Sequence, residues 1–260
     1  SEYMYSNAKM EYMMYPRAIA LSEIAWSPVS RKNFKDFCRR LDANCVRLDE
    51  RHIHYHIPLP EQPLGSCDKV VITGDTAVTF TTSRSMKMVY TLDGSTPTPS
   101  SSAYAEPIRV SGNTIIKIAT ILPSGKMSRI RTVDVEKQTY APAVKVEGAK
   151  PGLQMKRIKG NYLKVDQLEW ADAAWECANI EGLEQMKIQQ KDDAATLRGA
   201  NNYAAIAEGY INIPEDGVYY LSSRLEQVWI DNKLMISNEG DVKAGTNHDT
   251  SVALAKGLHP

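Results

Sequence analysis

Four groups of side chains in this chain have residue types and spacings that could do chemistry. Asp192 and Asp193 are adjacent carboxylates, a pairing that can share proton-transfer work when it is buried. They stand in a polar stretch, where solvated loop charges are the expected outcome. His52, His54 and His56 alternate, so on a strand three imidazoles would share one face, as metal ligands sometimes do. No cysteine or carboxylate pattern beside them completes a ligand set, so a polar edge is expected and neither a metal nor a cofactor is implied. Glu23, beside Arg17 in an apolar stretch, reads as one half of a structural ion pair rather than as an acid catalyst. Trp229 and Tyr220 could stack on the face of a sugar, although strand aromatics more commonly sit in a core.

The elements that would position these residues begin with YMMYPRAIALSEIAWSP, Tyr12 to Pro28. Tyr12, Tyr15, Ile19 and Trp26 fall at helical spacing, and Leu21, Ile24 and Ala25 widen their face. A helix apolar nearly all round predicts burial against a large body. Pro16 should kink or restart it and Pro28 should end it. Ser30 is the expected N-cap of a second helix, about 31 to 48, whose Phe34, Phe37, Cys38, Leu41, Cys45 and Leu48 form one apolar stripe.

Composition excludes several classes of partner. The 260 residues carry 31 Lys and Arg against 31 Asp and Glu, with no basic cluster, so no nucleic-acid groove is expected. No apolar run reaches the roughly 20 residues of a bilayer-crossing helix. Cys38 and Cys45, seven apart on one predicted helix, are about 10 Å apart along its axis, beyond disulfide reach. All 4 cysteines, including Cys67 and Cys177, read as thiols.

Beyond a proline-rich stretch at 58–68 the periodicity changes from helix to strand. VVITG, AVTFTT, MKMVYTL, PIRVSG, TIIKIATIL and RIRTVDVEK are short β-rich runs bounded by Gly, Pro, Ser and Asp, as in a small antiparallel sandwich. A second linker, 139–152, leads into more β-rich chain. There YINIPEDGVYYLSS turns at Pro214 to Gly217, and VWIDNKLMI folds over Asp231-Asn232.

Three of these stretches resemble known families. Tyr12, Met13, Pro16, Arg17, Ala20, Leu21, Glu23, Ala25, Trp26, Ser27 and Pro28 resemble the last barrel helix of family 20 glycoside hydrolases, the β-N-acetylhexosaminidases. YTLDGSTPT at 90–98, followed by Ser101, Tyr104, Pro107 and Ile108, resembles the C-terminal domain attached to many chitobiases and hexosaminidases. IPEDGVY at 213–219, WIDNKL at 229–234 and SVALAKGLHP at 251–260 resemble the protective-antigen-type domain of glycosidases and adhesins.

The resemblance implies a mainly β fold with a short α segment: two β-sandwich domains preceded by the last helices of a truncated (β/α)8 barrel. The expected divisions are barrel helices at 1–57, a linker at 58–68, the chitobiase-type sandwich at 69–138, a linker at 139–152 and a truncated protective-antigen-type sandwich at 153–260. It places Glu2 at the end of the last barrel strand, where its carboxylate would bind hydroxyls of the terminal sugar in the intact barrel. The family's catalytic Asp-Glu pair, which works with the substrate's own acetamido group, has no counterpart here. A protective-antigen-type domain that binds sugar through calcium uses an aspartate pair, and Ser222-Ser223 stand there instead, leaving Asp231 as a poor ligand set for such an ion. The expected function is therefore the non-catalytic C-terminal portion of an exported hexosaminidase. Its partners would be the rest of the barrel, the parent's glycan and, through the helical faces, another copy. A stand-alone carbohydrate-binding or adhesion module is the rival reading.

Overall fold

The computed structural model describes residues 4–64, 67–159, 168, 176–183, 203–238 and 248–260. Its helices are α1 (Asn7–Met14), α2 (Arg17–Trp26) and α3 (Phe34–Glu50), with a 3-10 turn at Val29–Arg31. The strands are β1 (Lys69–Ile72), β2 (Thr76–Val78), β3 (Lys87–Thr91), β4 (Ser102–Ala103), β5 (Ile108–Val110), β6 (Thr114–Ile121), β7 (Arg131–Lys137) and β8 (Leu153–Lys159). Then come β9 (Glu176–Ile180), β10 (Tyr203–Glu208), β11 (Ile211–Ile213), β12 (Gly217–Ser223), β13 (Gln227–Ile230), β14 (Lys233–Ser237), β15 (His248–Leu254) and β16 (Gly257–His259). The chain is mainly β, with few helices. It divides into two compact units, Ser1–Asp68 with Gly74–Glu136 and Lys69–Thr73 with Lys137–Pro260.

Helix boundaries follow side-chain caps. Ser6 accepts the Lys9 amide at 3.1 Å to start α1, and the chain breaks at the cis Tyr15-Pro16 bond before α2. Ser30 does not cap α3. It lies in the 3-10 turn, and Asn33 caps instead, its Oδ1 accepting the Asp36 amide at 3.0 Å. Asn caps as well as Ser does, and the intervening turn moves the start three residues along.

In the first unit β7, β6, β3 and β4 are hydrogen-bonded neighbours in that order, and β2 pairs with β5. The register sets Ile116 against Val133 and Met88 against Thr120, so one face carries Ile116, Ile118, Thr120, Val133 and Val135, all fully buried. The YTLDGSTPT stretch forms a turn bonded to itself. Asp93 Oδ1 accepts from the Ser95 amide at 3.0 Å and hydroxyl at 2.6 Å, while Gly94 takes a left-handed φ of 77°. Tyr104 accepts the Phe80 amide at 2.8 Å through its hydroxyl and sets its ring edge-on to Phe80. These hallmark residues hold backbone.

The helices pack at the end of this sheet, against residues that follow β6 and precede β3. Leu41, Cys45 and Leu48 of α3 form one buried cluster with Tyr55, Ile57 and Leu122, flanked by Tyr15, Ile19, Phe37, Ile53 and Met86. The proline-rich stretch is packed as well, with Pro60 and Gln62 buried and the Pro60 carbonyl accepting from Arg131 at 3.1 Å.

The second unit contains β10-β8-β9 and the antiparallel pairs β11-β16, β12-β15 and β13-β14. Its core gathers Ile213, Ile230, Val252 and Leu254, against which Ala141, Tyr219, Leu221 and Met235 pack. Buried Ser251 ties β1 in: its hydroxyl accepts the Val71 amide at 2.9 Å and donates to the Lys69 carbonyl at 3.0 Å. The final strand opens at Gly257, and its three residues pair with β11. Gly257 has φ 131°, and a Cβ there would meet Ala143 at 2.5 Å, so only glycine opens this strand.

Candidate functional site

The helical segment carries the most organised group of charges. Glu23 does not pair with Arg17: six residues put them about 120° apart around α2, and Arg17 donates to the Met13 carbonyl at 2.6 Å. The partner is Arg40 of α3, which makes a bidentate pair at 2.7 and 2.9 Å and also reaches Asp36 at 2.9 Å. The Arg40 hydrogen bonds hold the Glu23 carboxyl below the ordinary carboxylate range, so it is not a proton donor near neutrality. A groove of about 320 Å³ runs along this pair, lined by Ile19, Ser22, Trp26, Phe37 and Asn44.

The outer side of α1 and α2 is bare. No residue of either helix is buried, and Met10, Met13, Met14, Leu21 and Ile24 are exposed. Trp26 is 86% exposed. The all-round burial read from the sequence is therefore not found, because the described residues supply a body for one side of the pair only.

α3, by contrast, is fastened by charge as well as by apolar contact. Arg84 donates to Asp42 at 2.7 Å, and Tyr55 donates its hydroxyl to Asp49 at 2.9 Å. Lys126 reaches the other Asp49 oxygen and lies 4.1 Å from the Tyr55 ring centre. Burial and then the Asp49 hydrogen bond push the Tyr55 hydroxyl far up, so it stays a donor. Burial pushes the Cys45 thiol up to about 11, which leaves it unsuited to nucleophilic work.

The three histidines are not brought together as ligands. His52 sits in a left-handed turn, and His54 contacts Glu11 through its amide at 2.9 Å and its ring at 3.2 Å. His56 packs edge-on to Tyr12 and is held neutral by burial, then by the nearby Arg17 charge. Their segment is extended without being a strand, with Ile53, Tyr55 and Ile57 pointing inward. Among the described residues no group of three or more His, Cys, Asp or Glu side chains gathers.

In the second unit Tyr220 (41% exposed) and Trp229 (54% exposed) lie on β12 and β13, out of the core that strand aromatics usually join. Trp229 stands opposite Leu234 and donates to Gln227 at 3.0 Å. Ser222 and Ser223 face Asp249 and His248 across the β12-β15 ladder. Asp231 and Asn232 turn the β13-β14 hairpin at φ 52° and 60°, as expected for that dipeptide. The Asp231 carboxylate is engaged by His259, a contact the sequence reading missed; a histidine inside the apolar run SVALAKGLHP was its signal. Glu2, Asp192 and Asp193 lie outside the described residues, as does the Cys177 side chain.

Residues 71–132 match the family model of the chitobiase/beta-hexosaminidase C-terminal domain, and residues 185–260 match the PA14 domain. Two stretches of the chain are thus similar to a hexosaminidase-type C-terminal domain and, after it, to a PA14 domain. All 260 residues align at 43% identity with a beta-hexosaminidase of Porphyromonas gingivalis (strain ATCC BAA-308 / W83) and span 33% of that protein's length. The alignment takes in the helices and the stretches between the two matched domains. No described helix is long and apolar enough to cross a membrane.

Proposed function

We propose that this chain is the non-catalytic C-terminal portion of a β-N-acetylhexosaminidase. In it, α1 and α2 close the catalytic barrel, and the sheet of the first unit, half of a β-sandwich, props them through α3. The single observation that carries this reading is the contrast across the helices. α3 is buried against Leu122 and bonded to Arg84 and Lys126, while Trp26, Leu21 and Ile24 of α2 stand bare. An apolar patch of that extent marks a surface made to be covered, and the matched relative is about three times as long as this chain. The parent would be exported and would release terminal N-acetylhexosamine. Its acid and acetamido-orienting residues would lie outside these 260 residues, and Glu2 would bind the sugar.

The test is a chromogenic N-acetylglucosaminide assay on the 260-residue chain and on the longer protein of its reading frame. The expected result is turnover by the longer protein alone, lost in a Trp26→Asp variant that no longer seats the helices. Turnover by the short chain itself contradicts the reading.

Exposure of Trp229 and Tyr220 favours a second role, sugar binding by the PA14 domain through ring stacking. Glycan-array binding that disappears in Trp229→Ala supports it, and unchanged binding removes it.

A further inference from the structure

Among the described residues of the second unit, His259 is the titratable side chain with no exposed surface at all. Its Nε2 lies 2.8 Å from the Ala255 carbonyl oxygen, and its Nδ1 lies 2.9 and 3.1 Å from the two Asp231 carboxylate oxygens. A carbonyl and a carboxylate can only accept, so each ring nitrogen must carry a hydrogen. An ordinary carboxyl is a far stronger acid than an imidazolium, so the shared proton belongs on the ring.

We propose that β16 is held in the second unit by a charged latch, an imidazolium at His259 clamped between Asp231 and Ala255, which opens when the ring loses its second proton. The clamp joins three elements: β16, the turn that precedes it and the tip of the β13-β14 hairpin. It is reinforced by the Asp231 amide, which donates to the Pro260 main-chain oxygen at 2.9 Å.

Among the described residues the charged group that contacts the ring is the Asp231 carboxylate. The stretch bridged to β16 at Val144 brings the exposed Lys145 and Glu147. β11 places Ile211 opposite His259 and offers no titratable group there. The hairpin tip brings Asp231 and the exposed Lys233, and the preceding turn brings the exposed Lys256, whose amide donates to Asp216 at 2.7 Å. Glu215 and Asp216 belong to the turn before β12. Burial works against the charged ring, but the bonds to Ala255 and Asp231 outweigh it, so the proton is held to a higher pH than on a free histidine. The latch therefore contributes fully below the ordinary histidine value near 6.5 and is lost as pH rises through the higher folded value.

The experiment is a nitrogen-15 NMR titration of the full chain, with the His259 signals assigned through Asp231→Asn. That variant keeps the left-handed turn, which Asn adopts as readily as Asp, and removes the charge. At pH 7 both His259 nitrogens are expected to be protonated, and this ring is expected to titrate above a free histidine in the wild type and below its wild-type value in D231N. In parallel, amides of 211–213 and 257–259, corrected for intrinsic exchange, should lose at least tenfold protection between pH 6 and 9 in the wild type. In D231N they should be little protected at either pH. A singly protonated His259 at pH 7, or protection unchanged by pH and by D231N, overturns the proposal.

Discussion

α2 and α3 follow one another in the chain and meet opposite fates. α3 is the more polar helix, with Arg39, Arg40, Asp42 and Arg47 along its length, yet it buries Leu41, Cys45 and Leu48. α2 is the more apolar and buries nothing. The apolar content of a helix measures how much surface it needs to hide; burial measures what its neighbours provide. Where the two agree, as in α3, the helix is complete within this chain. Where they disagree, as in α2, the excess points to a surface that something else covers.

The largest effect that would sharpen this contrast comes from truncating the α3 core. Leu41→Ala removes a buried side chain from the cluster that joins α3 to Tyr55, Ile57 and Leu122, and should cost about 3 kcal/mol of stability. Denaturant unfolding of the 260-residue chain measures it, and a change near zero would mean the helices do not rest on the sheet. Next is Arg84→Met, which leaves Asp42 without its partner in a mostly buried place. A loss of roughly 1–3 kcal/mol is expected, and Asp42→Asn added to it should recover part of that loss.

On the other side of the comparison Trp26→Ser should be silent, within about 0.5 kcal/mol, because the ring makes little contact here. The same substitution should lower concentration-dependent light scattering of the isolated chain, since it thins the bare patch. The smallest effect concerns the Glu23-Arg40 pair. The Arg40 hydrogen bonds hold the Glu23 carboxyl below the ordinary glutamate range, so the pair's stabilisation is present above that range and fades as pH falls through the lower folded value. Acid unfolding of Glu23→Gln should begin from a slightly less stable state and show a shallower fall below pH 4.5. Curves that superimpose would show that the pair holds nothing.

Much of this was legible in the chain before any coordinates. The stripe of α3 is visible because its apolar residues recur at threes and fours against a charged background, and a one-sided helix has one solution. The turns at Gly94 and at Asp231-Asn232 were visible because few residues accept left-handed backbone. What escaped depends on pairs distant in sequence. The partner of Glu23 is seventeen residues away on another helix, Asp49 meets Lys126 across 77 residues, and His259 meets Asp231 across 28. Spacing along one element cannot reveal such contacts. The exposure of Trp26 escaped for a different reason: a pattern that calls for burial does not say whether the covering surface belongs to the same stretch of chain.

Hydrogen exchange followed by mass spectrometry, on the 260-residue chain and on the longer protein, tests the central claim most directly. In the short chain the amides of 34–50 should be well protected, because α3 is packed on the sheet, while those of 17–26 should exchange far faster. In the longer protein α2 should become as protected as α3, and α3 should change little. Equal protection of α2 in both proteins would contradict the account, since its outer face would then have no barrel to cover.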